Sequence, residues 1–394
     1  MSANEPAAPS AEPLADEPGD EERVTSPVEL LWDLVFVFSV TQVTTLLARD
    51  LSWSGVGRAS LVLALIWWAW SAFVWVANAH DANSLTLRAT LLPALLLIFI
   101  VGLAIPRAFA SDALLFAATY AGVRFMHLAL YADASRRGRA SWQAIAGFAV
   151  TVTIGMALLI VGALLDSAAR IALWTIAVAI DYAGPAWLTR ERLRGLQRIA
   201  VAHFAERYGT FVIICLGESI AAIGLGASGQ TVSIRLLATV GLGLLITIGL
   251  WWTYFDHFAS DAAEQLRDRD EPVLAAADAY SYLHVVLIAG IILFAVGMRL
   301  ATHHPSETLA SAPRLALCGG VALYLVGHTA FRARMTGTVG YAKLTAGAAI
   351  LVIAALGNDF EPWSVAAAVA GALTLLCVHE TYHVRPPPVR DVSA

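Results

Sequence analysis

The chain has 394 residues, of which 58% are hydrophobic and only 14% are charged, and its mean hydropathy is +0.69. This balance excludes an ordinary soluble protein, in which about a quarter of the residues are charged. The formal net charge of −5 says little about partners, because much of it comes from one acidic N-terminal stretch. Because the composition is so apolar, we expect the lipid bilayer to be a partner of the chain, and we do not expect nucleic acid to be one.

The N-terminal stretch is rich in Pro, Ala, Glu and Asp, and it lacks the apolar core of a signal peptide. We predict a disordered acidic cytoplasmic tail over residues 1–27, a transmembrane helical domain over 28–384, and a short cytoplasmic tail over 385–394.

The helical domain contains recurring apolar stretches, each long enough to cross a hydrocarbon core about 30 Å thick as a helix. The alternating pattern of an outer-membrane barrel is absent. The sequence thus predicts an all-α, polytopic transmembrane helix bundle of about twelve spans. In chain order the spans cover residues 29–47, 59–78, 86–105, 113–131, 142–164, 168–188, 201–224, 235–256, 278–298, 313–331, 340–357 and 361–380.

The distribution of arginine predicts the orientation of these spans. Twelve spans place fifteen arginines on one side and seven on the other, and basic residues are retained on the cytoplasmic side during insertion. We therefore expect a multi-pass protein of the bacterial inner membrane with both termini in the cytoplasm. The loops that contain Arg136 to Arg139 and Arg190 to Arg198 are then cytoplasmic.

A weak internal repeat relates the two halves of the domain. Matching features recur in the same order, namely Glu29 with Glu206 at an offset of 177, Ile66-Trp67-Trp68 with Leu250-Trp251-Trp252 at 184, and Tyr120 with Tyr324 at 204. A duplication of six spans, with halves 28–195 and 200–384 in like orientation, would produce this pattern, as in transporters built from parallel repeats.

Charged residues within the spans carry the functional argument, because a charge at membrane depth costs at least about 2.5 kcal/mol and usually faces a partner, a cavity or a pathway. Glu29 and Asp33 lie four residues apart in the first span and share one helical face. Glu29 follows Ser26-Pro27, so it is either a carboxylate that stabilises the start of the helix or a functional group.

The seventh span predicts one narrow polar face, which contains His203, Glu206, Arg207 and Glu218, with Ser219 beside Glu218. Glu218 is too far along the helix from Arg207 to pair with it. It is therefore a structural partner of another helix, or a carboxylate that binds a proton or a substrate. We expect this face to point into the bundle towards the first and fourth spans.

The fourth span has a second polar stripe, because Tyr120, Arg124, His127 and Tyr131 follow a helical spacing. Arg124 is the expected counter-ion for Glu218, Glu206 or Asp33, in either a structural salt bridge or an anion-binding role. The candidates for substrate or proton binding are then Glu29, Asp33, Arg124, His127, His203, Glu206, Arg207, Glu218 and Ser219.

No cofactor or metal site is predicted. His379, Glu380 and His383 match the H-E-x-x-H pattern of zinc sites, but this motif straddles the end of the last span and no third-ligand motif follows. The three cysteines lie in apolar runs, and phosphate-binding and nucleophile-elbow motifs are absent.

Two segments resemble signature stretches of the bacterial low-temperature-requirement A (LtrA) family, namely ELLWDLVFVFSVTQ from Glu29 and HFAERYGTFVIICLGESIAAIG from His203. Further similar features are Trp67-Trp68-Ala69-Trp70, Asn78, Ile105-Pro106 and Trp251-Trp252, so that the resemblance covers most of residues 26–380. Leu31-Trp32 stands where aromatic pairs are common in the family. The resemblance implies a polytopic membrane protein, in a family that is named for a growth phenotype in the cold and has no settled biochemical activity.

Three functions agree with these features. The first is a secondary transporter or permease for an unidentified small solute, with proton coupling through a titrating carboxylate. The second is a membrane-embedded enzyme that acts on a lipid-linked or hydrophobic substrate with Glu or His as general acid or base. The third is a non-catalytic membrane component that supports growth in the cold. We favour transport over enzymatic activity.

Overall fold

A computed structural model of the chain describes residues 25–78, 80, 84–138, 142–184, 201–256, 265–266 and 272–383. The predicted tails, apart from residues 25–27, and the loop with Arg190 to Arg198 lie outside these ranges. The described part contains twelve helices: α1 (Pro27–Arg49), α2 (Trp53–Asn78), α3 (Leu85–Ala104), α4 (Ala113–Arg136), α5 (Trp142–Ala163), α6 (Ser167–Ala183), α7 (Val201–Ala227), α8 (Ile234–Phe255), α9 (Pro272–Ala276, a π-helical segment Ala277–Leu283, and His284–His303), α10 (Ser311–Thr336), α11 (Tyr341–Leu356) and α12 (Pro362–His383).

These helices confirm the predicted all-α bundle, since each of the twelve predicted spans coincides with one helix. Ten of them are long and apolar enough to cross a membrane. The two shorter ones are α6, with 17 residues, and α11, with 16 residues. The last helix continues through the His379 to His383 motif, beyond the predicted end of its span.

Local sequence explains where several helices begin. At the start of α1 the backbone N–H and the hydroxyl of Ser26 both donate to Glu29 Oε2, at 2.9 and 2.8 Å, and Pro27 occupies the first turn. At the start of α6 the Asp166 carboxylate accepts the backbone N–H groups of Ala168 and Ala169. In both helices a carboxylate thus accepts backbone N–H groups at the helix start that have no partner within the helix.

Glycines bring α9 and α10 into close backbone contact. A Cβ added to Gly290 would lie 2.6 Å from the backbone nitrogen of Tyr324, and one added to Gly320 would lie 2.3 Å from that of Phe294. In a bilayer such close packing of small residues replaces much of the hydrophobic driving force that holds soluble cores together.

Three hydrogen bonds recur at corresponding places in the two halves. In the first half, side chains of α4 and α6 donate to backbone carbonyls of α2. In the second half, side chains of α10 and α12 donate to backbone carbonyls of α8. The corresponding bonds are Tyr120 to Leu65 and Tyr324 to Leu250, Arg124 to Trp68 and His328 to Thr253, and Tyr182 to Ala64 and Cys377 to Gly249. The acceptors in α8 all follow those in α2 by the same 185 residues, one more than the offset read from the sequence. A duplication would leave this arrangement.

The two halves contact each other where α1 and α2 of the first half pack against α7 and α9 of the second. The π-helical segment Ala277–Leu283 lies at this junction, where Trp67 Nε1 donates to Ser281 O at 2.6 Å. A π-helical segment inside an α-helix often marks a functional site. The polar side chains at this junction are therefore the first candidates for a functional site.

Candidate functional site

Four charged or titratable side chains meet where α1 packs against α7. Arg207 lies 2.6 Å from Asp33 and 3.3 Å from Glu29, and His203 Nε2 lies 3.4 Å from the same Glu29 oxygen. All four side chains are at most 2% exposed. We call these residues the α1–α7 ion cluster. Two carboxylates of the first half thus hold one arginine and one histidine of the second half.

The cluster combines structural bonds with unused hydrogen-bonding capacity. Glu29 also accepts the capping bonds from Ser26, so it stabilises the start of α1 in addition to its contacts in the cluster. Asp33 Oδ1 accepts from Trp70 Nε1 at 2.8 Å and from Arg207, whereas Asp33 Oδ2 has no hydrogen-bond partner among the described residues. A buried carboxylate oxygen without a donor is unusual and leaves room for a proton or an incoming donor.

Glu206 was placed on the wrong side of α7 by the sequence. Its side chain is exposed, whereas its neighbour Arg207 is 1% exposed. The buried direction of the helix is set by His203, Arg207 and Glu218, which lie at 0°, 40° and 60° on a 100° helical wheel, so Glu206 at −60° faces outward. The structure therefore gives Glu206 no place in the buried cluster.

Glu218 lies apart from the ion cluster, three turns further along α7. It is 6% exposed, and the Thr41 hydroxyl of α1 donates to its Oε2 at 2.5 Å. Ser219 is fully buried, and its hydroxyl has no hydrogen-bond partner in the described part of the chain. The prediction that this face of α7 points towards the first and fourth spans holds only for the first: a hydroxyl of α1 contacts Glu218 where an arginine of the fourth span was expected, and α4 packs mainly against α2, α3 and α5.

Arg124 is paired with Asp181 of α6, so its predicted pairing with Glu218, Glu206 or Asp33 is wrong. The two groups are 2.9 Å apart and are 2% and 4% exposed. The polar stripe on α4 is nevertheless buried as predicted, with Tyr120, His127 and Tyr131 each below 5% exposure. Sequence reasoning did not select Asp181, because a single carboxylate in an otherwise apolar span gives no sign of its partner.

A cleft opens beside this pair, with about 560 Å³ of empty space including its mouth. We call it the Arg124 cleft. Its polar lining consists of Ser71, Arg124, His127, Asp181 and Ser281. Its aromatic walls are Trp68, Trp75, Tyr131, Phe148 and Tyr282. The cleft therefore joins α2, α4, α5 and α6 of the first half to the π-helical segment of the second.

Three hydroxyl groups link the floor of the cleft to α7. Ser71 Oγ lies 2.9 Å from Ser281 Oγ and 2.7 Å from Tyr208 OH, and Trp75 Nε1 donates to Ser281 Oγ at 2.8 Å. Sequence reasoning missed Ser71, Tyr208 and Ser281 because single hydroxyls in apolar spans are common. The aromatic residues near them in the sequence do not indicate which hydroxyls lie close together in the fold.

The C-terminal H-E-x-x-H motif is engaged in another contact. Glu380 forms a salt bridge with Lys343 of α11, whose side chain is 5% exposed. Among the described residues no group of three His, Cys, Asp or Glu side chains could hold a metal ion, and the side chain of His383 lies outside those residues. The pairing with Lys343 gives Glu380 a role in joining α11 to α12.

Comparison with known proteins agrees with this architecture. The family model described as Bacterial low temperature requirement A protein (LtrA) matches residues 24–379. The chain is also 31% identical over 320 residues to uncharacterized protein RA0937 of Rhizobium meliloti (strain 1021), and this alignment covers 80% of this chain and 78% of that protein. No solved structure matches the chain.

Proposed function

The chain belongs to the low-temperature-requirement A family of polytopic membrane proteins, and from this premise we propose that it is a secondary transporter whose solute site is the Arg124 cleft. The observation that carries the proposal is a buried Arg124–Asp181 pair that lines a cleft between the two halves. Arg124 lies midway along α4, and ionisable groups at such depth typically mark solute or ion pathways.

The arrangement of the halves supports this function. Transporters built from two repeats bind their solute where the repeats meet, and they open alternately by moving one repeat against the other. The recurring hydrogen bonds support a duplication of six helices, and the cleft receives residues from both halves. A duplicated bundle with a polar cleft at its junction has the parts that alternating access requires.

The α1–α7 ion cluster is suited to couple such a movement to a proton. Glu29 and Asp33 belong to one half and His203 and Arg207 to the other, so moving α1 away from α7 would separate buried opposite charges. Protonation of a carboxylate would weaken its attraction to Arg207 and favour that separation. The unpartnered Asp33 Oδ2 is the atom best placed to receive the proton.

The test is solvent access to the cleft from each side of the membrane. In a background with Cys215, Cys318 and Cys377 replaced by alanine, Ala72→Cys places a thiol in the cleft wall, and Ala69→Cys places one at a fully buried position of the same helix. A membrane-impermeant maleimide is added to right-side-out and to inside-out vesicles.

Alternating access predicts that Ala72→Cys reacts from both sides and that Ala69→Cys reacts from neither. Reaction of Ala72→Cys from one side only would overturn the proposal, because a fixed pocket is what a membrane-embedded enzyme or a structural component would have.

A further inference from the structure

The polar groups of the Arg124 cleft have hydrogen-bonding capacity that the chain does not use. Arg124 Nε, Asp181 Oδ2 and both ring nitrogens of His127 have no hydrogen-bond partner in the ranges that the structure describes. These residues are 2%, 3% and 4% exposed, and all of them line the cleft. Since buried polar groups are nearly always bonded, the cleft offers a polar ligand the Arg124 Nε–H and a His127 N–H as donors and Asp181 Oδ2 as an acceptor.

The charges of the cleft are matched and adjacent. Arg124 and Asp181 lie 2.9 Å apart, and His127 is the one other ionisable side chain, apart from tyrosines, in the described lining. A solute with a net charge would carry that charge uncompensated into a buried site, which is costly. A zwitterion with neighbouring positive and negative groups brings no net charge. Its negative group can lie beside Arg124 and its positive group beside Asp181.

The walls of the cleft favour a flat apolar body next to those charges. Trp68 stacks on Tyr182 with ring centroids 4.0 Å apart, and Tyr282 lies 5.2 Å from Trp68. Trp75 and Phe148 complete the apolar lining. Aromatic rings pack well against other flat rings, so these walls favour a solute that has a ring.

We propose that the Arg124 cleft binds a small zwitterion with a flat apolar side chain, of which an aromatic amino acid is the simplest example. Its carboxylate accepts from Arg124 Nε and His127, and its ammonium group donates to Asp181 Oδ2. This inference rests on the proposed function, because it names the solute class of the same site.

The test is calorimetric titration of the purified full-length protein in detergent with compounds that share one ring. These are phenylalanine as the zwitterion, phenethylamine as the cation, 3-phenylpropionate as the anion and 3-phenylpropanol as the neutral analogue, with glycine as a zwitterion that lacks the ring. Phenylalanine should bind at least about tenfold more tightly than each of the others, because only it satisfies both charges and the aromatic walls.

Two variants assign the binding to this cleft. His127→Phe keeps a flat ring and removes the ring nitrogens, which have no partner in the described chain, so it should fold and should weaken phenylalanine binding about tenfold or more. Glu307→Gln changes a carboxylate that is 73% exposed and does not line the cleft, and this variant should bind as the unmodified chain does. Equal binding of the anion or the cation alone, no binding of phenylalanine, or normal binding by His127→Phe would overturn the inference.

These outcomes are separable from the access experiment. Labelling of Ala72→Cys from both sides without phenylalanine binding would reject the solute class and leave transport in place. Phenylalanine binding with labelling from one side would support the site and reject transport.

Discussion

Loss of the buried Arg207 charge should destabilise the protein strongly. Its guanidinium lies 2.6 Å from Asp33 and 3.3 Å from Glu29, and all three side chains are nearly inaccessible. Arg207→Gln leaves two buried carboxylates with His203 as the remaining basic group of the cluster. Removing one partner of a buried ion pair costs about 3–5 kcal/mol, because the stranded charge stays desolvated.

The chain provides a control with similar geometry and different burial. Arg107 and Asp112 are 2.8 Å apart, but Arg107 is 66% exposed. An exposed pair contributes at most about 1 kcal/mol, so Arg107→Gln should have little effect. Unfolding of both variants in denaturing detergent, followed by circular dichroism, measures the difference that burial makes.

A second change identifies which carboxylate Arg207 compensates. Asp33→Asn added to Arg207→Gln should restore at least half of the lost stability, because Asp33 is the nearer partner and its amide still accepts from Trp70. Glu29→Gln added to Arg207→Gln should restore less stability. The Glu29 carboxylate still accepts two hydrogen bonds from Ser26 when Arg207 is absent, so it is the less strained of the two charges. If Arg207→Gln costs no more than Arg107→Gln, the cluster is not held by charge and the reasoning fails.

Three further predictions concern packing, the second buried carboxylate and topology. Gly290→Ala should destabilise the protein by about 1–3 kcal/mol, because the new methyl group meets the backbone of α10, whereas Gly241→Ala in α8, with no atom within 4 Å, should change unfolding in detergent by less than about 1 kcal/mol. Glu218→Gln should cost no more than about 1.5 kcal/mol in the same assay, because the amide oxygen still accepts from Thr41; a loss of 3 kcal/mol or more would indicate a buried cation partner instead. Reporter fusions at Gly138 and Arg194 should both report the cytoplasm, and opposite locations would contradict the arginine asymmetry.

Hydropathy and helical spacing were enough to predict the helices and much of their buried polarity. Length and hydropathy decide whether a segment can cross a bilayer, since each helix satisfies its own backbone, so all twelve helices were predictable. Helical spacing likewise placed Arg124 and His127 on one buried stripe, and His203, Arg207 and Glu218 on another. These are properties of single helices, and they require no knowledge of neighbours.

The contacts between those groups depend instead on how the helices pack against one another. Arg124 pairs with Asp181 because α4 and α6 both pack against α2 and α5, and no periodicity within either helix specifies those neighbours. Glu206 and Arg207 are adjacent in the chain, yet the carboxylate of Glu206 is exposed and the guanidinium of Arg207 is buried. The direction in which α7 packs against its neighbours makes this difference. Periodicity fixes relative angles around one helix, whereas the choice of partner depends on how helices distant in the chain pack together.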